Sequence, residues 1–327
     1  MMHNSALTCA RDCRTVSMTI RLGFDRLVHS DWSVAANKRW TAIAERSPNG
    51  WSIASLAQTP SPAGFLDLLF DRPGTLAGFD FPIGLPLFYL NTMKIEFCEL
   101  LSSPLPDSAQ HFFSVAETLF GISPAQPFYR IHPKGCRRQH LLHRLHCGDF
   151  NDLLRECDKA TANRSRAESI FWTVGPKQVS KAALSGWQDI LGPARARGAG
   201  IWPFDGPLSS LSRRALTLAE TYPAEVYQHL GMSRTVKKRT QAGRTAAGAV
   251  LLAWAARYQV TVAPKIAGLV ADGFGARPDE EDAFDAITGL CGMIEVADGH
   301  RAEAPDALWD SPPREGWILG QTDAPAS

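Results

Sequence analysis

Between the Pro73-Gly74 turn signal and Pro82 the chain has room for one short strand and little else. Leu76 to Phe79 is continuously apolar and too short for a helix, and Pro82 ends it. Asp80 stands at the carboxyl end of that strand, and the prolines on both sides of Gly84 turn the chain away at once. In open α/β sheets this edge is where ligands bind. A lone Asp before a proline is ordinarily a turn cap, but further carboxylates stand at comparable places in this chain.

Three segments upstream read as a meander. Asp25 to Trp32 is the first, Trp40 to Ala44 the second and Trp51 to Leu56 the third, with Pro48-Asn49-Gly50 as the hairpin turn between the last two. Phe65, Leu66, Leu69 and Phe70 fall at helical spacing and predict a helix from about Pro62 to Phe70. The order strand, strand, strand, helix, strand is similar to the first half of the ribonuclease-H-like architecture. Asp31 lies on the first of these strands and Asp80 on the fourth.

Bulk properties narrow the classes. A chain of 327 residues holds one large domain or two modest ones. Its net charge of +1 supplies no whole-molecule attraction for polyanions, so any nucleic-acid surface must be local. No apolar run approaches membrane-spanning length. Seven cysteines, odd in number and irregularly spaced, predict free thiols in a reducing cytoplasm. Residues 1–17 lack a signal-peptide core and are expected to be an extension ahead of a start near Met18, or a disordered arm. One domain is expected over 18–321, with a short flexible tail over 322–327.

The middle, about 87–200, reads as a helical insertion. Its Cys136–Cys147 segment holds His140, His143 and His146 and raises zinc, but the spacing fits no familiar pattern and paired thiolates are missing. Arg137, Arg138 and Arg144 interleave with Leu141, Leu142 and Leu145, which favours an exposed basic amphipathic helix. After Phe171-Trp172, Pro176 suits an early helical position, and Gln178 and Lys181 then share a face. A lysine near a helix start can meet an anion there, or simply face solvent.

The sheet pattern returns with Ala215 to Ala219, ended by Glu220 and followed by Pro223. That repeats the Asp80 arrangement: apolar strand, acid at the carboxyl end, proline soon after. Lys237-Lys238-Arg239 and Arg244 follow, leading into a helix through about Arg257; such a cluster is either solvated or a phosphate contact. Asp279 to Glu281 read as the acidic first turn of another helix, but Asp285 sits a turn further in, on one face with Asp282. An aspartate pair on a packed helix is costly unless a cation or a shared proton relieves it. Glu315 to Leu319 is expected to be a final short strand.

Taken in order, Asp31-Trp32-Ser33, Gly78-Phe79-Asp80-Phe81-Pro82-Ile83-Gly84, Phe171-Trp172, Gln178-Val179, Lys181-Ala182-Ala183, Glu220-Thr221-Tyr222-Pro223-Ala224, Asp282-Ala283-Phe284-Asp285-Ala286 and Glu315-Gly316-Trp317-Ile318 form a pattern. It resembles the family known as domain of unknown function 429, from about Leu22 to Gly320. Members of that family are predicted nucleases of the ribonuclease-H-like fold. The resemblance implies an α/β fold: a three-stranded antiparallel meander plus parallel strands in one mixed sheet, flanked by helices, with the large insertion. It implies an acidic site of Asp31, Asp80, Glu220, Asp282 and Asp285. Many relatives carry a Gly-x-Asp first strand, and Gly23-Phe24-Asp25 competes here with Ser30-Asp31-Trp32 for that place. Asp31 is preferred because it would end a strand begun near Leu22.

Such a site would hold one or two Mg²⁺ or Mn²⁺ ions and hydrolyse phosphodiesters, with nucleic acid as substrate. Gln178, Lys181 and Arg244 are the candidates for contacting substrate phosphates. Two other classes remain open. One is a nucleotide-binding phosphoryl-transfer enzyme, against which the lack of a glycine-rich phosphate loop counts. The other is a non-catalytic protein that binds nucleic acid or a partner.

Overall fold

The structure, a computed structural model, describes residues 22–129, 137–161, 164–173, 179–233, 235–277 and 280–323. The expected extension over 1–17, Cys136, Gln178, Asp279 and the last four residues lie outside that set. The meander forms as β1 (Arg26–Asp31), β2 (Trp40–Ser47) and β3 (Gly50–Gln58), followed by α1 (Pro62–Phe70) and β4 (Thr75–Phe79). Next come α2 (Leu87–Met93), α3 (Arg138–Arg144) and α4 (Val179–Gly186), which runs through a wider π turn into α5 (Gly192–Ala196). The remainder is β5 (Gly200–Ile201), α6 (Leu208–Leu211), β6 (Leu216–Glu220), α7 (Pro223–His229), α8 (Gln241–Arg257), β7 (Thr261–Val262), α9 (Pro264–Ala271) and α10 (Glu281–Ala297).

Among the described residues seven strands join one sheet in the order β5-β6-β4-β1-β2-β3-β7. The first three pair antiparallel. The other four each lie parallel to a neighbour. This is the mixed α/β sheet flanked by helices that the sequence predicts. Among the described residues no helix is long and apolar enough to cross a membrane.

Strand alternation sends side chains to two cores. Val28, Ala77 and Phe79 pack with Phe65 and Leu69 of α1 and with the aromatic residues of the insertion. Leu27, Leu76 and Ala219 pack with Ala286, Leu290 and Ile294 of α10. Burying each large apolar side chain contributes roughly 1.5–3 kcal/mol, so both faces must be covered for the sheet to hold. α1 begins where Ser61 accepts the Gly64 N–H at 3.3 Å and Pro62 supplies a preset first residue.

Helix α10 approaches the sheet more closely than a side chain at position 289 would allow. A Cβ on Gly289 would fall 2.1 Å from Nε2 of His29. Gly84, at φ +140°, serves the turn after Asp80 in a similar way: a Cβ there would lie 1.8 Å from the carbonyl oxygen of Glu315.

Two expectations need correction. The insertion is less helical than predicted: among its described residues, α2, α3 and the α4–α5 run are separated by single 3₁₀ turns at Phe97–Leu101, Asp107–Ala109, Leu119–Gly121, Phe150–Leu153 and Glu156–Asp158. Frequent prolines stop longer helices from forming, and aromatic packing replaces them; Tyr89 and Phe171, for instance, lie 4.7 Å apart between ring centroids. The expected strand at Glu315–Leu319 is reduced to one bridge between Ile318 and Glu220, because Gly316 at φ +80° bends it away.

Candidate active site at the carboxyl edge of the sheet

β1 and β4 are parallel neighbours with Ser30 opposite Phe79, so the next residues, Asp31 and Asp80, leave the sheet side by side. Both are in phase with residues that face α10, namely Leu27 and His29 on one strand and Leu76 and Gly78 on the other. Their carboxyl groups hydrogen-bond to each other. Asp80 also accepts the backbone N–H of Trp32 at 2.7 Å. Asp25, the competing first-strand acid, is exposed just ahead of the other end of β1, so it is Asp31 that meets Asp80.

Burial raises the pKa of Asp31 well above the ordinary value, and the neighbouring charges of Asp80, Asp285 and Asp282 push the same way. Asp80 is raised as well, first by burial; its bonds from Asp31 and from the Trp32 amide partly offset that. The pair therefore retains a proton that an isolated aspartate would lose.

The first turns of α10 bring two more acids, which their spacing predicts to share a face, close enough to act on Asp31. Asp285 is buried, accepts the Tyr227 hydroxyl at 2.6 Å and is ion-paired with Lys238. Burial would lower the pKa of Lys238, but the Asp285 carboxylate, with Glu281 and Asp31 further out, raises it instead. Asp282 is pushed up to about 6 by burial and by Glu281 and Asp285, against Lys38 and Lys238. Four of the five expected acids thus converge. Among the described residues, no three His, Cys, Asp or Glu side chains are gathered tightly enough to form a ready metal cage.

Glu220 is elsewhere. It is opposite Phe79, not Asp80, and so points to the other face of the sheet. There it is buried and held by Arg155, whose two terminal nitrogens donate to it at 2.5 and 2.7 Å, and it accepts the Ile83 N–H at 2.7 Å. Burial raises its pKa, while Arg155 and the Ile83 amide oppose the shift. Glu220 braces the turn that carries Asp80 and does not join the other acids.

The expected phosphate contacts divide similarly. Arg244 is fully buried and donates to four backbone carbonyls, those of Lys238, Gly273, Gly275 and Arg277, at 2.6 to 3.0 Å. Its guanidinium faces no solvent and pins the loop bearing Lys238. Lys181 is exposed on α4, one turn before Ser185, which receives the Trp32 indole N–H at 3.3 Å. Gln178 lies outside the described residues. In the Cys136–Cys147 segment His140, His143 and His146 are exposed, while Arg138 stacks on Phe150 and Arg144 donates to the Leu119 carbonyl at 3.0 Å.

Sequence reasoning missed three residues here. Tyr227 gave no signal. Lys238 was visible only as part of a basic run, and His29 only as a polar residue in a buried strand. His29 is fully buried, hydrogen-bonds Thr221 through Nε2 at 2.8 Å, and burial lowers its pKa to about 3, so the ring is neutral beneath α10. Comparison with protein families, curated proteins and solved structures finds no match to this chain.

Proposed function

We propose that the chain is a divalent-cation-dependent phosphodiester hydrolase, a nuclease of ribonuclease-H-like architecture related to the domain of unknown function 429 family. The observation that carries this reading is the meeting of Asp31 and Asp80 at adjacent strand ends beneath Asp282 and Asp285. The strand order supports it too: an antiparallel meander with parallel strands added beside β1.

The donor set suits Mg²⁺ or Mn²⁺, since every group is a hard oxygen and the proton held between Asp31 and Asp80 occupies a position a cation can take over. Asp31, Asp80, Asp282 and Asp285 would hold the metal. When bound, such ions lower the pKa of a water and stabilise charge on the departing oxygen of a phosphodiester.

The chain's own groups do the positioning. The Trp32 N–H aims Asp80, Tyr227 aims Asp285, and Glu220 with Arg155 fixes the turn behind Asp80. Exposed Lys237 and Arg239 beside Lys238 offer positive charge to a nucleic-acid backbone, and Lys181 does so from α4.

Labelled single-stranded, hybrid and branched oligonucleotides, incubated with Mg²⁺ or Mn²⁺, test the reading. Cleavage of at least one class is expected, lost in EDTA and in Asp80→Asn. Cleavage that survives either treatment, or none with any substrate, overturns it.

A further inference from the structure

Lys238 sits where the proposed chemistry would need a metal. Its ammonium is ion-paired with one oxygen of Asp285, whose other oxygen accepts the Tyr227 hydroxyl. We propose that Lys238 is a displaceable countercharge: it neutralises Asp285 while the site is metal-free, and it moves out to meet the phosphodiester anion when a divalent cation enters. The inference rests on the nuclease reading and concerns the same site.

Three features of the structure make the exchange feasible. First, the backbone at 238 is fixed, because buried Arg244 donates to the Lys238 carbonyl at 2.6 Å and to three further carbonyls behind it. Displacement therefore needs only rotation about the side-chain bonds of a flexible four-carbon stem. Second, the Lys238 side chain is 37% exposed, whereas that of Asp285 is 10% exposed. The lysine has a path to solvent, and the carboxylate stays behind. Third, exposed Lys237 and Arg239 flank Lys238, with Arg239 3.9 Å from Glu281. An ammonium leaving the acids would join a basic run fitted to a polyanion and unfavourable to a free lysine without one.

The electrostatic logic is competition. A divalent ion bound by Asp31, Asp80 and Asp285 and an ammonium on Asp285 would repel each other at close range, so only one can hold that carboxylate. Metal and lysine are then thermodynamically linked, and removing the lysine must tighten the metal.

Mn²⁺ titration calorimetry without nucleic acid tests this. Lys238→Met should bind Mn²⁺ about tenfold more tightly than the native chain, and Lys238→Arg should stay near native. A second measurement uses the native protein and needs no variant to fold: labelling by an amine-specific reagent, read at Lys238 by mass spectrometry, should rise when Mn²⁺ is added. If the native chain binds Mn²⁺, and neither Lys238→Met affinity nor Lys238 labelling changes, the displacement is overturned while the metal site stands. If neither native nor Lys238→Met protein binds Mn²⁺, the metal reading falls and the displacement falls with it.

Discussion

Asp31 and Asp80 end neighbouring parallel strands in the same row of the sheet and hydrogen-bond to one another beneath the first turns of α10. Two carboxylates so placed cannot both ionise without cost, and folding raises the pKa of each. The folded chain therefore binds more protons than the unfolded chain above about pH 4, the ordinary range of an aspartate. The stability these groups contribute is full below that range and is lost as pH rises through their folded values. Asp282, pushed up to about 6, acts in the same direction. Asp31→Asn should then match the native chain near pH ~4 and exceed it by about 1–3 kcal/mol at pH ~8, in urea melts without metal. A native chain that gains on the variant as pH rises would contradict the shared proton.

Glu220 should behave as a brace. Glu220→Gln leaves Arg155 buried with one carboxylate partner, Asp158, and weakens the acceptor for the Ile83 amide. Breaking one side of a buried pair costs about 3–5 kcal/mol, and the remaining Asp158 bond lowers that to about 2–4. Below its melting temperature the variant should bind Mn²⁺ as the native chain does, because the carboxylate it loses faces away from the other acids. A large loss of Mn²⁺ affinity at unchanged stability would return Glu220 to the proposed metal site.

The contrast between Glu220 and Asp80 marks how far the sequence could be read. Both follow a short apolar strand and precede a proline, and both strands formed where the pattern put them. Pattern fixes that an acid ends a strand, but the face it points to depends on register with the neighbour, and one residue of offset reverses it. Glu220 is opposite Phe79, one position short of Asp80. α1, β4 and the end of α8 were legible because prolines, glycines and helical spacing act locally. Asp282 and Asp285 were legible because three residues along a helix keep to one face. Tyr227 and Lys238 were not, since their roles arise from contacts 58 and 47 residues away in sequence.

Gly289→Ala should be unusually costly for a helix interior, where the change normally stabilises by up to about 1 kcal/mol. The new Cβ would lie 2.1 to 2.5 Å from three atoms of the His29 ring, and that ring cannot withdraw without giving up Thr221. A net loss of about 1–3 kcal/mol is expected. Combined with His29→Ala, which opens the space, Gly289→Ala should cost much less than it does alone, and a double-mutant cycle measures that coupling. Additive effects would mean that α10 stands further from β1 than the Gly289–His29 contact requires.

Arg244 is the sharpest test of structure against sequence, because the two assign it opposite environments. As a member of a basic run it would meet phosphates, and its removal would weaken oligonucleotide binding and lower the salt dependence of that binding, with little change in stability. As found, it is fully buried, and its guanidinium satisfies four carbonyls on the loops after α7 and α9. Lysine has the charge but not the planar fork, so Arg244→Lys should still leave carbonyls without donors. A loss of about 2–4 kcal/mol is expected, with amide exchange accelerated first around 235–240 and 272–277. Because the same loop carries Lys238, the variant should also loosen the Lys238–Asp285 pair and raise labelling of Lys238 without Mn²⁺. Unchanged stability and exchange together with weaker, less salt-dependent oligonucleotide binding would put Arg244 at the surface after all.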